Sequence, residues 1–447
     1  APMSKYPTSQ RVAAVYDPTQ EGNPFLAALP EMMSREIFLS SIRSLPPLPS
    51  GVSGMTSEQR RQHLSLLSSL FVPMEYMYAV YDQLFRALSS TYSTRTMLEE
   101  IRRTNALFRG DELTPYATQP TSGSILGEPG VGKTSTIKRA LSLLPQVIEH
   151  TEYAGAPFFC KQVLYLAVEC PSDCSVKALA LNIVAALDKA IGSNYLRQLS
   201  SLSSAAASAL STKIKILCFT HHVGLLVIDE VQNLVASAQK NKQVRPLIKF
   251  MVELINDTCT AVYFVGTPEA EDLFVSQEHL RRRTRGMRLL PLKPIGAYRA
   301  FLNAIWPYQF TEKKAPLTEP LANRLYDWSG GIPAYVIKIF QETQAQALLQ
   351  GERCISAKTM QRAIELLAIK VPRTFSGGTY ISDFEAPSEV EPPLSFEDAP
   401  LPEKRLYANK RGRKAAQRDE LDLILAYQEG QLMEQLHAHN LLEGWPC

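Results

Sequence analysis

Residues 127–134 read Gly-Glu-Pro-Gly-Val-Gly-Lys-Thr, an unbroken match to G-x-x-x-x-G-K-[ST]. This feature limits the fold most, because the pattern works only between a buried strand and a helix N-terminus. Gly127, Gly130 and Gly132 let the backbone curl so that its N–H groups converge on phosphate oxygens, with Glu128, Pro129 and Val131 between them. Lys133 offers a point charge to β/γ-phosphates, the Thr134 hydroxyl is placed to hold Mg²⁺, and Ser135 leads into the helix. The flanks agree. Residues 122–126 are short and turn apolar, as a buried strand does, and residues 136–144 carry helical apolar spacing.

A second motif narrows the choice. Residues 222–230, His-Val-Gly-Leu-Leu-Val-Ile-Asp-Glu, form an apolar run ending in two acids. Such a run suits a central parallel strand buried on both faces. Asp229 at its carboxyl end can reach a Mg²⁺ shell from a neighbouring strand, and Glu230 can orient and deprotonate an attacking water. An Asp-Glu pair after a strand also suits a plain helix N-cap; beside the phosphate loop the catalytic reading is preferred. GTPases lack that second acid and carry an Asn-Lys-x-Asp guanine reader, which this chain does not show.

With 447 residues there is room for two or three domains and a large core. The formal charge is only +3, so contact with nucleic acid would rest on local patches rather than on global basicity. Seven cysteines without repeating spacing fit reduced core thiols in the cytoplasm. Cys170, Cys174, His221 and His222 can be drawn as a zinc site, but their spacing suits one poorly. No signal peptide and no apolar stretch of 18 residues is present, so a membrane partner is not expected. Ala1 in place of an initiating Met points to processing or a junction ahead of it.

Along the chain, residues 1–55 form an irregular, Pro-rich lead-in and linker. Thr56-Ser-Glu-Gln59 resembles a capping box opening a helical segment, residues 56–118. Residues 119–295 form the nucleotide-binding core, with further strands expected at 162–169, 260–267 and 287–291 and a helix at 176–191. Strands alternating with helices predict a three-layer α/β sandwich with a parallel sheet. Residues 296–375 are strand-poor and read as a small all-α lid. Residues 376–403 read as an acidic disordered linker; within it, 381–402 hold six acids and no base. Residues 404–447 read as a basic tail with a short amphipathic helix, and 404–418 hold seven bases and no acid.

Thr267 ends the 260–267 strand, where a hydroxyl can sense a γ-phosphate; the plainer reading is a strand-end Thr in the turn Gly266-Thr-Pro268. Residues 281–288 hold five arginines. One of them, with Arg283 and Arg282 as candidates, can act as an arginine finger in a neighbouring subunit's site. A DNA phosphate patch and a solvated face are the other readings. Lys177, Lys213, Lys215, Lys240 and Lys242 flank core elements, and for any single one a solvated surface position is the simpler account.

The assembled set is Gly127–Thr134, Val-Ile-Asp-Glu-Val-Gln-Asn-Leu (227–234), Val-Gly-Thr-Pro (265–268), the arginine cluster, Ser-Gly-Gly-Ile-Pro (329–333) and the lead-in Asn-Pro-Phe-Leu-Ala-Ala-Leu-Pro (23–30). It resembles the AAA+ ATPases of the TnsC/TniB family, target-selection regulators of Tn-seven-like transposons, some of them CRISPR-associated. The resemblance covers roughly residues 12–370. The first two motifs are generic to AAA+ proteins; the Asp-Glu-Val-Gln-Asn-Leu wording and the lead-in point to this family.

That resemblance implies ATP with Mg²⁺ as ligands, and slow, oligomer-dependent hydrolysis. It implies a homo-oligomeric ring or helical filament on double-stranded DNA. It implies a bridge between a TniQ/TnsD-type target selector and TnsB-like or TnsA-like transposase subunits, with the tail docking the transposase. By position, Lys133 and Thr134 hold phosphate and Mg²⁺, Asp229 the metal, Glu230 the water; Thr267 is sensor 1, and an Arg in 281–285 acts in trans. Lys177, and with it Lys213, falls where DNA contacts are expected. The chain departs from many AAA+ lids after the Gly-x-Pro turn. Ala334-Tyr-Val-Ile-Lys338 stands where a sensor-2 Arg is usual, and Lys338 is a possible substitute. The alternatives are a replication initiator or helicase loader and a DNA-independent nucleotide-switch ATPase. The first calls for a sequence-specific DNA-binding domain after the lid, which residues 376–447 do not show, and the second for a sensor or repeat domain.

Overall fold

The computed structural model describes residues 11–20, 22–111, 113, 122–200, 207–234, 244–271 and 284–369. All fall within one compact unit, residues 1–385. Its strands are β1 (Arg11–Ala13), β2 (Ser122–Gly127), β3 (Val147–Tyr153), β4 (Ala156–Val163), β5 (Tyr165–Glu169), β6 (Leu225–Asp229), β7 (Ala261–Gly266) and β8 (Thr284–Leu289).

Five strands build a parallel sheet in the order β5-β6-β7-β2-β8. β5, β6 and β7 are apolar almost throughout because helices cover both faces, whereas the edge strand β8 carries Arg285 and Arg288. Ile125, Leu225, Val227, Tyr263 and Val265 enter the core on one side. Leu126, Leu226, Ile228, Val262 and Phe264 enter the core on the other. That alternation is the two-residue period of a strand. Helices Glu75–Thr94 and Lys133–Ser142 pack on the first face. Helices Val176–Ile191, Ala207–Thr220 and Val244–Thr258 pack on the second. The result is the three-layer sandwich expected from the alternation of elements.

The order corrects one expectation. β6 is not the neighbour of the phosphate-loop strand: β7 stands between β6 and β2. Two further corrections concern strand limits. The run 162–169 serves two sheets. β4 ends at Val163 and pairs with β3, whereas β5 pairs with β6. Leu164 sits at the change of partner, its N–H donating to the Gln146 carbonyl at 2.9 Å. Hydropathy reports burial, not pairing partner, so the run looked continuous. The strand expected at 287–291 begins earlier, at Thr284, and takes in part of the arginine cluster.

A second, three-stranded sheet of order β1-β3-β4 was not anticipated. β3 and β4 form a hairpin whose two-residue connection, Ala154 and Gly155, has φ of 51° and 76°. Both residues are left-handed there, as a tight hairpin turn demands, but Ala-Gly is a weak signal for it. The stretch read as irregular, 1–55, contains β1 and helices Pro24–Ala27 and Arg35–Ile42. The first is capped by Asn23, whose side chain accepts from the Phe25 and Leu26 N–H groups. Such short, Pro-punctuated helices carry too few turns to show a period. The capping box at Thr56 is present: Thr56 N–H donates to Gln59 Oε1 at 2.9 Å, and Gln59 N–H to Thr56 Oγ1 at 3.3 Å.

Helix Glu75–Thr94 is docked at the amino ends of β6 and β7. Tyr92 Oη donates to the His222 carbonyl at 2.8 Å and Thr91 Oγ1 to the Gly224 carbonyl at 3.0 Å. Gly224 is required by that approach, since a Cβ there would lie 2.6 Å from Tyr92 Oη. The helices read as a lid, Ala297–Ile305, Glu319–Ser329, Pro333–Leu349 and Ala357–Leu367, share the first-face core with these N-terminal helices. Tyr308 Oη donates to the Pro46 carbonyl at 2.7 Å and Ser57 Oγ to the Leu348 carbonyl at 3.1 Å, so lead-in and lid are joined directly. Among the described residues no helix is long and apolar enough to cross a membrane.

Candidate nucleotide site

Parallel sheets present their ligand sites at the carboxyl ends of the strands. Here Gly127 ends β2, Asp229 ends β6, and Gly266 ends β7 just before Thr267. The three sequence motifs therefore converge on one edge of the sheet.

The loop from Gly127 to Gly132 owes its course to its glycines. A Cβ on Gly127 would sit 2.5 Å from the Leu289 carbonyl oxygen of β8. Gly130 and Gly132 have φ of 89° and 101°, which L side chains rarely adopt. Gly132 then caps helix Lys133–Ser142, whose N-terminus faces the loop. Such a terminus presents unpaired N–H groups and a positive dipole end, a ready anion site. Lys133 Nζ donates to the carbonyls of Gly127 at 2.5 Å and Glu128 at 3.1 Å, so the ammonium lies across the mouth of the loop. Burial pushes its pKa below the usual lysine value, opposed by the carboxylates of Asp229, Glu230, Glu128 and Glu269. The same crowding acts on Glu128, whose pKa is raised by burial and then by Glu269.

Asp229 is 1% exposed. Although β7 intervenes between the two strands, Thr134 Oγ1 donates to Asp229 Oδ2 at 3.0 Å. A buried carboxylate beside a hydroxyl is an oxygen donor pair of the kind a hard divalent cation takes, and these two residues fit Mg²⁺. Asp229 Oδ1 also accepts the Glu230 N–H at 2.9 Å. Glu230 has φ of 61°, a left-handed conformation that costs a non-glycine residue about 1–3 kcal/mol. Such strain is characteristic of functional turns.

Thr267 donates through its hydroxyl to the Glu269 carboxylate, and its N–H donates to Gln232 Oε1 at 3.2 Å. Gln232 Nε2 in turn donates to Glu230 Oε2. Gln232 stands inside the Asp-Glu-Val-Gln-Asn-Leu motif, whose residue types alone do not mark it as a contact of Glu230. Two other neighbours had no sequence signal. Tyr76, from the N-terminal helix, donates from Oη to the Val131 carbonyl at 2.9 Å, and burial raises its pKa. Ala334, at the start of the third lid helix, donates its N–H to the Gly130 carbonyl at 3.2 Å. The position where a sensor-2 Arg is usual thus touches the phosphate loop with an alanine, while Lys338 is exposed one turn on.

The other candidate residues lie apart from this cluster or outside the described residues. Arg282 and Arg283, Lys240 and Lys242, and everything in 376–447 belong to the latter. Lys177 is exposed in the first turn of helix Val176–Ile191, and Lys213 is half-buried in helix Ala207–Thr220. Lys215 pairs with Asp257 at 2.7 Å. The zinc reading finds no support among the described residues, which hold no group of three or more His, Cys, Asp or Glu able to bind a metal. Cys174 Sγ contacts the Asn233 carbonyl, His221 contacts Tyr195 Oη, and His222 pairs with Glu100.

A glycine-cradled helix N-terminus, a lysine, and a Thr–Asp pair at the edge of a parallel sheet define a P-loop nucleotide-binding fold, with β7 interposed between β2 and β6. Residues 117–274 match the family model described as the AAA domain. The chain has the AAA+ P-loop fold, followed by a helical region. No curated protein sequence matches the chain. Among solved structures it is similar to the Aeropyrum pernix ORC2 protein in ADPNP–ADP complexes, at 12% identity and a TM-score of 0.35, covering 60% of this chain and 66% of that one. It is also similar to Drosophila ORC bound to DNA, at 12% identity and 0.40, covering 76% and 71%. A third is the Thermotoga maritima RuvB Holliday junction branch migration motor, at 14% identity and 0.33, covering 61% and 70%. At this identity and score none of them bears on what this chain binds or does. The chain spans just under two thirds of the length of the first.

Proposed function

We propose that this protein is an ATP-dependent AAA+ regulator of DNA transposition. It binds ATP, oligomerises on double-stranded DNA as a ring or filament, and bridges a TniQ/TnsD-type target selector to the transposase. Hydrolysis remodels the assembly. The observation that carries the ATPase part is the Thr134–Asp229 hydrogen bond, which joins the phosphate loop to the acid-bearing strand across β7. The transposition part is supported by the family resemblance of residues 227–234 and of the lead-in 23–30.

In this reading the loop 127–135, Gly127, Glu128, Pro129, Gly130, Val131, Gly132, Lys133, Thr134 and Ser135, wraps the phosphates; its backbone N–H groups, which Pro129 lacks, and the Lys133 ammonium take them. Thr134 and Asp229 would hold Mg²⁺, which when bound neutralises charge on the β- and γ-phosphates. Glu230 accepts a proton from the water attacking the terminal phosphorus, and the bond to the β–γ bridging oxygen breaks to release ADP. Thr267 positions that water or senses the phosphate. An arginine of 281–285, Arg282 or Arg283 foremost, reaches the site of an adjacent protomer. Lys177 and Lys213 contact DNA phosphate, and the tail 404–447 takes the TnsB-like or TnsA-like transposase subunits. With Ala334 at the loop, no cation is supplied from that lid position, in keeping with slow hydrolysis that depends on a neighbour.

The experiment is nucleotide binding by Lys133→Ala. Loss of one charged hydrogen-bond donor to phosphate costs about 1.5–3 kcal/mol, or roughly 10- to 100-fold in Kd. Titration with a fluorescent ATP analogue should show that loss together with loss of DNA-bound oligomers. Unchanged affinity would place the nucleotide elsewhere and end this reading.

A further inference from the structure

The turn after β6 is tied on both sides. Val231 N–H donates to the Val265 carbonyl of β7 at 3.0 Å, and Asn233 Nδ2 donates to the Cys170 carbonyl, just past β5, at 2.9 Å. Within that frame Gln232 spends both ends of its amide. Its nitrogen donates to Glu230 Oε2 and its oxygen accepts from the Thr267 N–H at 3.2 Å. The amide orientation is set by these partners, since a carboxylate only accepts and a backbone N–H only donates. Gly266 makes the approach possible: a Cβ there would lie 2.7 Å from Gln232 Oε1 and 2.8 Å from Val231 Cγ2. Glu230 meanwhile holds its left-handed backbone, fixed by the Asp229 carboxylate.

We propose that Gln232 is a positioning residue: it holds the Glu230 carboxylate in register with the β7 end at Thr267, so that the water-activating acid and the candidate phosphate sensor move as one unit. This inference rests on the ATPase reading above. A charge-assisted hydrogen bond to one carboxylate oxygen fixes the group's rotation. A general base contributes about 10²–10⁴-fold only when so placed, so loosening it should remove about one power of ten or more of that factor.

The test uses the full chain with duplex DNA and compares wild type, Gln232→Leu, Gln232→Glu, Glu230→Gln and the double variant Glu230→Gln/Gln232→Leu. Gln232→Leu removes both hydrogen bonds, and Gln232→Glu sets two carboxylates against each other. Each should lower kcat about 10-fold or more, with KM for ATP, the affinity for a fluorescent ATP analogue and the melting temperature nearly unchanged. In the Glu230→Gln background, Gln232→Leu should have no further effect on kcat, because residues acting through one group are not additive. An additive loss in the double variant would overturn the proposal, as would a fall in nucleotide affinity or melting temperature that accounts for the lost rate. So would unchanged kcat in both folded single variants. Wild type turning over ATP no faster than Lys133→Ala would remove the ATPase reading itself, and this inference with it.

Discussion

Glu230→Gln is expected to bind ATP within a few-fold of wild type while kcat falls by about 10²–10³, a factor within the usual worth of a general base. The substitution keeps the size of the side chain and its ability to accept from Gln232, but removes the basic oxygen. Asp229, Thr134 and Lys133 are untouched, and they make the contacts assigned to nucleotide binding. Binding and turnover should therefore separate. If hydrolysis remodels the assembly, the variant should also lengthen the lifetime of DNA-bound oligomers. Phosphate release assays and a filament dissociation time course read the two effects. Loss of DNA binding in this variant would break the proposed coupling between the nucleotide state and assembly.

Arg95→Ala is expected to produce the largest loss of stability, about 3–5 kcal/mol, the usual result of stripping one partner from a buried ion pair. Arg95 is fully buried. Its Nε donates to the Thr258 carbonyl at 2.7 Å, one terminal nitrogen to the Val223 carbonyl at 2.8 Å, and the other to Thr260 Oγ1 at 2.7 Å. It also pairs with Glu100 Oε1 at 3.4 Å, and Glu100 in turn meets His222 Nδ1 at 2.5 Å. The guanidinium thus links the end of helix Glu75–Thr94 to the segments that enter β6 and β7. Alanine would leave two backbone carbonyls and a buried carboxylate without those bonds. Urea unfolding should show a much lower midpoint. Replacing Arg95 and Glu100 together by apolar residues should recover only part of it, because the Thr258 carbonyl still loses its Arg95 donor, whereas the Val223 carbonyl keeps the Thr260 hydroxyl at 3.1 Å. A midpoint shift of less than about 1 kcal/mol for Arg95→Ala would show that the cluster is not what anchors this helix.

The contrast between these two residues indicates what a sequence carries. The place of Glu230 at the end of a buried strand, beside the glycine loop, is legible because the strand, the acid pair and the loop are local patterns of residue type and spacing. That of Arg95 is not. It sits in the polar stretch Ser93-Thr-Arg-Thr96, where a solvated surface is the natural reading, and its hydrogen-bond partners Val223, Thr258 and Thr260 lie more than 120 residues away. The same distinction runs through the fold. Strands such as 225–229, apolar up to the terminal Asp229, and 261–266 declare themselves, since burial on both faces leaves few polar positions. The change of partner at Leu164 and the β3–β4 hairpin depend on which strand lies alongside, which hydropathy does not encode. Within the site, the glycines, Lys133, Thr134 and Asp229 come together as their spacing implied. Gln232, Tyr76 and Ala334 join them through tertiary contacts no local pattern announces.

The most direct test of the account is negative-stain electron microscopy of the full chain with a short random-sequence duplex, under no nucleotide, ADP and a non-hydrolysable ATP analogue. The account predicts rings or filaments on DNA with the analogue and none in the other two conditions. Monomers in every condition would contradict it, leaving a solitary or partner-dependent nucleotide switch in place of a self-assembling platform.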